Sequence, residues 1–168
     1  MSYARFAAMI TVSTIVMFGL MYLNTYATDH VFFSQTRMWM ALVMGATMAI
    51  IMISFMWTMY ESRAINAGIV VGGVVVFAAA LWLVRSQTTV DDVSYMNAMI
   101  PHHSIAILTS ERAHIRDPRV RKLADAIIET QVREIGEMKA LIRELRRNPT
   151  RPGAPDLLPR RQEGTASR

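Results

Sequence analysis

The residues with the most distinctive chemistry are methionines and histidines close together in the second half of the chain. Met96, Met99 and His103 are spaced i, i+3, i+7, so a helix would place all three on one face. Thioether sulfur together with imidazole, in a chain without cysteine, is a donor set suited to a soft ion such as Cu(I) or Ag(I). The absence of cysteine also excludes disulfides, thiolate zinc sites, iron–sulfur clusters and cysteine nucleophiles.

Two helices joined by a short turn would position these residues. The aspartates at 91–92 can cap a first helix, which we predict over about residues 91–114. Asp117 followed by Pro118 is a strong start signal for a second helix, predicted over about 118–147. Because only a few residues connect them, the two helices should pack antiparallel as a hairpin.

Antiparallel packing would bring the methionine and histidine face onto the apolar stripe of the second helix. That stripe consists of residues at helical spacing: Val120, Leu123, Ala124, Ile127, Ile128, Ile135, Met138, Leu141, Ile142 and Leu145. Gln131 and Glu134 interrupt that stripe, and burying a carboxylate costs on the order of several kcal/mol unless it is paired or binds a cation. With the turn near 115–117, residues at one level have numbers that sum to about 233. Three levels result, and they pair Met96 with Met138, Met99 with Glu134, and His103 with Gln131.

Two interpretations of these six residues remain open at this point. In the first they form a Cu(I) or Ag(I) site, in which the amide and the carboxylate orient the imidazole. In the second the methionines are ordinary core, and the histidine and glutamate form a metal-free polar layer that fixes the helix register. An enzyme is less favoured, because the sequence shows no nucleophile–base–acid set and no phosphate-binding loop.

Two motifs in this region resemble the signature of the family catalogued as domain of unknown function 305. They are Met96-Asn-Ala-Met99-Ile-Pro-His102-His103 and Gln131-Val-Arg-Glu134-Ile-Gly-Glu137-Met138. The resemblance covers about residues 88–145 and implies a ferritin-like helical bundle, usually exported or periplasmic, of which some members bind copper or silver. Carried to this chain, it implies metal ligands at Met96, Met99, His102, His103 and Met138, with Gln131 and Glu134 as further motif positions.

The first half of the chain is nearly free of charge. Only 6 of residues 1–87 are charged, against 25 of the remaining 81. Three apolar stretches, at about 6–23, 38–59 and 67–84, have the length that a helix needs to cross a bilayer. We therefore predict an all-α chain with a membrane domain over 1–87, a helical hairpin domain over 88–147 and a disordered tail over 148–168.

Charge alone does not orient the three spans, because Arg5 and Arg63 on one side balance Arg37 and Arg85 on the other. With the export that the resemblance implies, we expect a bacterial inner-membrane protein with a cytoplasmic N-terminus and a periplasmic hairpin. One hairpin cannot bury both faces of its helices. We expect a homodimer that completes a four-helix bundle, with docking on the membrane segment as the alternative.

The expected partners are the lipid bilayer, a second copy of the chain and a metal ion. The basic residues are scattered among acids, so nucleic-acid binding is not expected. Two other features have plain interpretations. The methionines at every fourth position from Met40 to Met56 fan over about 160° of a helix and indicate packing surface. The turn around Asp29, His30 and Gln35 is interpreted as a polar loop.

Overall fold

The computed structural model describes residues 2–151 and 153–157, and its regular structure there is helical. The helices are α1 (Tyr3–Leu20), α2 (Gln35–Phe55), α3 (Arg63–Ser86), α4 (Asp92–Arg112) and α5 (Pro118–Arg147). Short 3-10 helices at Thr28–His30 and Trp57–Met59 lie in the first two connections. The described residues contain no strand, which confirms the all-α prediction. The predicted disordered tail lies largely outside the described residues.

Helices α1, α2 and α3 match the three apolar stretches, and each is long and apolar enough to cross a membrane. All three begin earlier than hydropathy indicates, and in α2 and α3 a serine side chain caps the added turn. The Ser34 hydroxyl accepts a hydrogen bond from the Arg37 backbone N–H at 3.2 Å, and Ser62 accepts one from the backbone of Ile65 at 3.3 Å. Hydropathy detects the apolar part of a span, so a capped first turn falls outside it.

The outer faces of α1 and α3 are apolar and remain exposed within the protein. Both helices pack against α2, which lies between them. Val12, Ile15 and Val16 on α1, and Val71, Val74 and Val75 on α3, are among the exposed side chains. Such a surface suits contact with lipid. Lipid tails are as apolar as these side chains, so no hydrophobic driving force buries them inside the protein.

Glycines let the three helices approach closely. A Cβ at Gly45 of α2 would lie 3.1 Å from Cγ2 of Thr14 on α1, and one at Gly73 of α3 would lie 2.7 Å from Cγ1 of Ile50 on α2. By contrast, a Cβ at Gly68 would meet nothing within 4 Å. Small residues at helix contacts are the usual means of tight packing in a membrane, where interhelical van der Waals contact replaces the hydrophobic effect.

Helices α4 and α5 form the predicted hairpin, and the predicted caps are present. Asp91 accepts from the Ser94 backbone N–H at 2.7 Å, and Asp117 accepts from that of Arg119 at 2.8 Å. The hairpin core consists of buried side chains from both helices: Met96, Ile100, Ile107, Ile135 and Ile142. Several members of the predicted apolar stripe of α5 stay exposed, namely Val120, Leu123 and Leu141.

The connection between α1 and α2, residues 21–34, lies against the hairpin. Phe32 of this connection packs on the hairpin core. Of the two expected ways to cover the hairpin, docking on the first half of the chain is therefore present within one protomer. The homodimer stays a prediction.

We predict that Gly45→Ala destabilises the chain by about 1–3 kcal/mol, because the added methyl overpacks the contact with Thr14. Thermal unfolding of the full chain in detergent should show a lower Tm. The matched control is Gly68→Ala, which adds the same methyl in open space and should leave the Tm unchanged or slightly raised. Equal effects of the two substitutions would contradict the assigned α1–α2 contact.

Candidate functional site

His103 is the histidine that turns toward the hairpin seam. Its side chain is 14% exposed, and its Nδ1 lies 3.1 Å from Oε2 of Glu134 on α5. The two groups are close enough for an ion pair, but the angle falls short of a hydrogen bond, so Nδ1 has no hydrogen-bond partner. The sequence-based pairing of residues at one level placed Met99 opposite Glu134. The observed contact of Glu134 is with His103, one turn further along α4.

The surroundings of His103 favour a neutral imidazole. Burial lowers its pKa below the ordinary value of a histidine, the Glu134 carboxylate opposes that shift, and neighbouring His102 adds to it. A neutral ring keeps one nitrogen lone pair free, which is the state in which histidine binds a metal.

The three methionines of the hairpin occupy two kinds of position. Met96 is 6% exposed and belongs to the hairpin core, and Met138 packs against the same core. These two were predicted to share a level. Met99 is half-buried and lies one turn before His103, so the two side chains share a flank of α4.

His102 and Gln131 differ in how far their side chains are exposed. His102 is exposed, and its ring centroid is 6.2 Å from that of His103. Gln131 is half-buried on α5. Within residues 2–151 and 153–157, no three histidine, aspartate or glutamate side chains cluster closely enough to hold a metal ion.

Ser104, the residue after His103, joins α4 to the α1–α2 connection. It is fully buried, and its hydroxyl accepts a hydrogen bond from the Tyr26 backbone N–H at 2.7 Å. The same oxygen lies 3.0 Å from Nδ1 of His30. A hydroxyl has one proton and two lone pairs, so these contacts use most of its capacity.

A second contact joins the connection to α5. Asp29 and Lys139 form an ion pair with 2.6 Å between Oδ2 and Nζ, and this pair lowers the pKa of the Asp29 carboxyl. Lys139 follows Met138, as Ser104 follows His103. The connection therefore holds both hairpin helices at residues adjacent to candidate ligands.

Interpreting residues 24–37 as a plain polar loop was wrong. The Gln35 side chain also contributes, since its Nε2 donates to the Ser94 hydroxyl at 3.3 Å. The sequence does contain one hint of this docking, because Ser104 stands between Ile100 and Ile107 on the buried side of α4. A lone serine there needs a partner from elsewhere in the chain.

The comparison with protein families agrees with the two hairpin motifs. Residues 92–167 match the family described as Domain of unknown function (DUF305). This segment resembles a DUF305 domain. It contains α4, α5 and both motifs, whereas α1, α2 and α3 precede it. The family resemblance predicted from the sequence is thus confirmed.

A curated protein shares part of this region. An uncharacterised protein of Acanthamoeba polyphaga mimivirus is 42% identical over 66 residues, which cover 38% of this chain and 43% of that relative. The match thus spans less than half the length of the relative. No solved structure matches the chain.

We predict that Ser104→Ala lowers the free energy of unfolding by about 1–3 kcal/mol, because the Tyr26 N–H and the half-buried His30 ring lose their partner. Hydrogen exchange of the full chain should show faster exchange in the connection at residues 21–34. Ser110→Ala is the matched control, being a half-buried serine on the same helix outside this contact. Undiminished protection of the connection in Ser104→Ala would contradict the docking role.

We predict that docking of the connection weakens as the pH falls. Burial and, secondarily, the Lys139 charge lower the pKa of His30, while Asp29 partly opposes them. A lowered pKa favours the neutral ring when docked, so this stability is present above about pH 6.5, the ordinary histidine value, and is lost as the pH falls through the lowered pKa. The Tm and the protection of residues 21–34 should both decrease on going from neutral to mildly acidic pH.

The comparison variant is His30→Asn, which keeps a polar atom near the position of Nδ1 but does not titrate in this range. Its pH dependence should be shallower than that of the wild type, and what remains reports on His103. His114→Asn, at an exposed histidine of the hairpin turn, should leave the wild-type profile intact. A His30→Asn profile as steep as the wild type would contradict the prediction.

Proposed function

We propose that the chain is a membrane-anchored protein that binds Cu(I) or Ag(I) on its hairpin, for uptake, buffering or resistance. Support for the anchor comes from α1, α2 and α3, which have the length and composition of membrane spans and expose apolar outer faces. The proposed location is a bacterial inner membrane with the hairpin on the periplasmic side. The family resemblance supports export of the hairpin, whereas the charge pattern does not orient the chain.

The observation that carries the metal proposal is the state of His103. Its ring is largely buried, and burial lowers its pKa and so favours the neutral form; Nδ1 faces the Glu134 carboxylate, and Nε2 has no hydrogen-bond partner within the described residues. A proton on Nδ1 leaves the Nε2 lone pair available to a metal. A carboxylate behind the far nitrogen of a ligating imidazole is the usual way in which proteins orient such a ligand.

The residues around His103 fit a soft ion. Met99 lies on the same flank of α4, Met96 belongs to the hairpin core, and Met138 packs against that core. Cu(I) prefers thioether sulfur and neutral imidazole as ligands, whereas hard divalent ions do not. When bound, the ion would be held by His103 and these thioethers, while Glu134 would orient the imidazole. His102 would need to rotate inward to take part.

A second candidate function rests on the same pair. Met96 and Met138 already fill a packed core, and the His103–Glu134 contact places one polar pair at the seam. A buried polar pair can fix the register of two helices without any metal. In that case the hairpin is a structural or interaction module.

The deciding experiment is a Cu(I) titration of the full chain in detergent under reducing conditions, against a chromophoric Cu(I) chelator. We expect Met99→Leu/His103→Ala to weaken binding by more than about tenfold, because it removes two donors at once. The matched control is Met48→Leu/His114→Ala, which removes the same residue types from α2 and from the hairpin turn. Glu134→Gln should have a smaller effect, since it removes only the orienting charge.

The two functions give different outcomes. Equal Cu(I) affinity in the double variant and the wild type would overturn the metal proposal. If the double variant instead lowers the Tm equally with and without Cu(I), and the wild type gains no stability from the ion, the register function is favoured.

A further inference from the structure

The end of the hairpin that lies next to α3 carries an excess of arginine. Arg143, Arg146 and Arg147 are exposed in the last turns of α5, and Arg151 follows the helix. None of these four guanidinium groups has an ion-pair partner among the described residues. The helix dipole favours basic residues in the last turn, which applies to Arg146 and Arg147 but not to Arg151 beyond the helix.

The rest of α5 is balanced differently. Arg121 pairs with Asp125 at 2.8 Å, and Arg133 lies 3.8 Å from Glu137. Surface arginines along most of the helix are thus matched by acids one turn away. Among the arginines of α5, those without an ion-pair partner in the described residues lie in the C-terminal turns.

The hydrogen bonds of the hairpin place this cluster at the level where the apolar helices end. Gln35, the first residue of α2, donates to Ser94 near the start of α4. Thr36 contacts Gln87, just after α3, at 3.5 Å. Thr150, just after α5, donates to Asp92 at 3.3 Å, so the α5 terminus returns to the same level.

The arginines also lie on the side of α5 that faces the first half of the chain. Lys139 contacts Asp29 of the α1–α2 connection, and Arg143 and Arg146 follow it at i+4 and i+7. Arg85, in the last turn of α3, adds a further positive charge. Asp91 and Asp92, at the start of α4, already accept hydrogen bonds from Ser94 and Thr150.

We propose that this basic surface, formed by Arg143, Arg146, Arg147 and Arg151, binds the headgroups of anionic phospholipids. The inference rests on the membrane part of the proposed function and is independent of the metal. If α1, α2 and α3 cross a bilayer, the arginines lie at the headgroup level on the hairpin side. Each basic residue near an anionic surface strengthens binding about fivefold at moderate salt, and the effect decays within a Debye length.

The test is native mass spectrometry of the full chain, purified in mild detergent with equimolar phosphatidylglycerol and phosphatidylcholine. The wild type should retain phosphatidylglycerol over phosphatidylcholine by about tenfold or more at low salt. Arg143→Gln/Arg146→Gln/Arg147→Gln should lose most of that preference. Glutamine keeps similar helix propensity, so the helix should persist.

The matched control is Arg112→Gln/Arg116→Gln/Lys122→Gln, which removes three exposed charges at the far end of the hairpin and should keep the preference. Equal retention of the two lipids by the wild type would overturn this inference alone. An unchanged lipid preference in the Arg143→Gln/Arg146→Gln/Arg147→Gln variant would do the same. Retention of neither lipid would also overturn this inference, whereas the membrane anchor is tested separately by whether the chain stays in the membrane fraction after an alkaline wash. Binding of Cu(I) is measured separately and is unaffected by either result.

Discussion

The arrangement of the apolar helices and the hairpin depends on the hydrogen bonds of the Ser104 hydroxyl. A fully buried serine must find partners, because an unpaired hydroxyl in an apolar interior costs on the order of a few kcal/mol. Its partners are the Tyr26 backbone N–H and the His30 ring, both in the connection between the first two apolar helices. The Asp29–Lys139 pair repeats the arrangement on α5. These two contacts fix where the DUF305 hairpin lies.

The same contacts bear on the candidate site. Consecutive residues of a helix point about 100° apart, so holding Ser104 and Lys139 fixes the rotation of α4 and α5 at the turns that carry His103 and Met138. A site made of long, flexible thioethers gains most from such support, because methionine side chains adapt to their surroundings and define little geometry by themselves. The first half of the chain thus contributes to the position of the candidate site.

The parts that sequence could predict are local ones. Asp91, Asp117 and Pro118 mark helix starts through bonds to their own neighbours, and the apolar stretches mark spans by length. The choice between His102 and His103 could not be made, since it depends on a rotation that the partner helix sets. Docking of the connection also escaped prediction. Its contacts join residues 74 to 110 positions apart and leave no periodic pattern.

That separation has a consequence for biosynthesis. The Tyr26 N–H, His30 and Asp29 are made well before Ser104 and Lys139, their partners in the folded chain. Until α4 and α5 emerge, these groups have water as their partner, and closing such a long loop is slow relative to pairing α4 with its neighbour α5. The hairpin should therefore form first as a unit and then dock on the α1–α2 connection, which is synthesised earlier. If the apolar helices cross a membrane as proposed, folding also requires that both reach the same side of it.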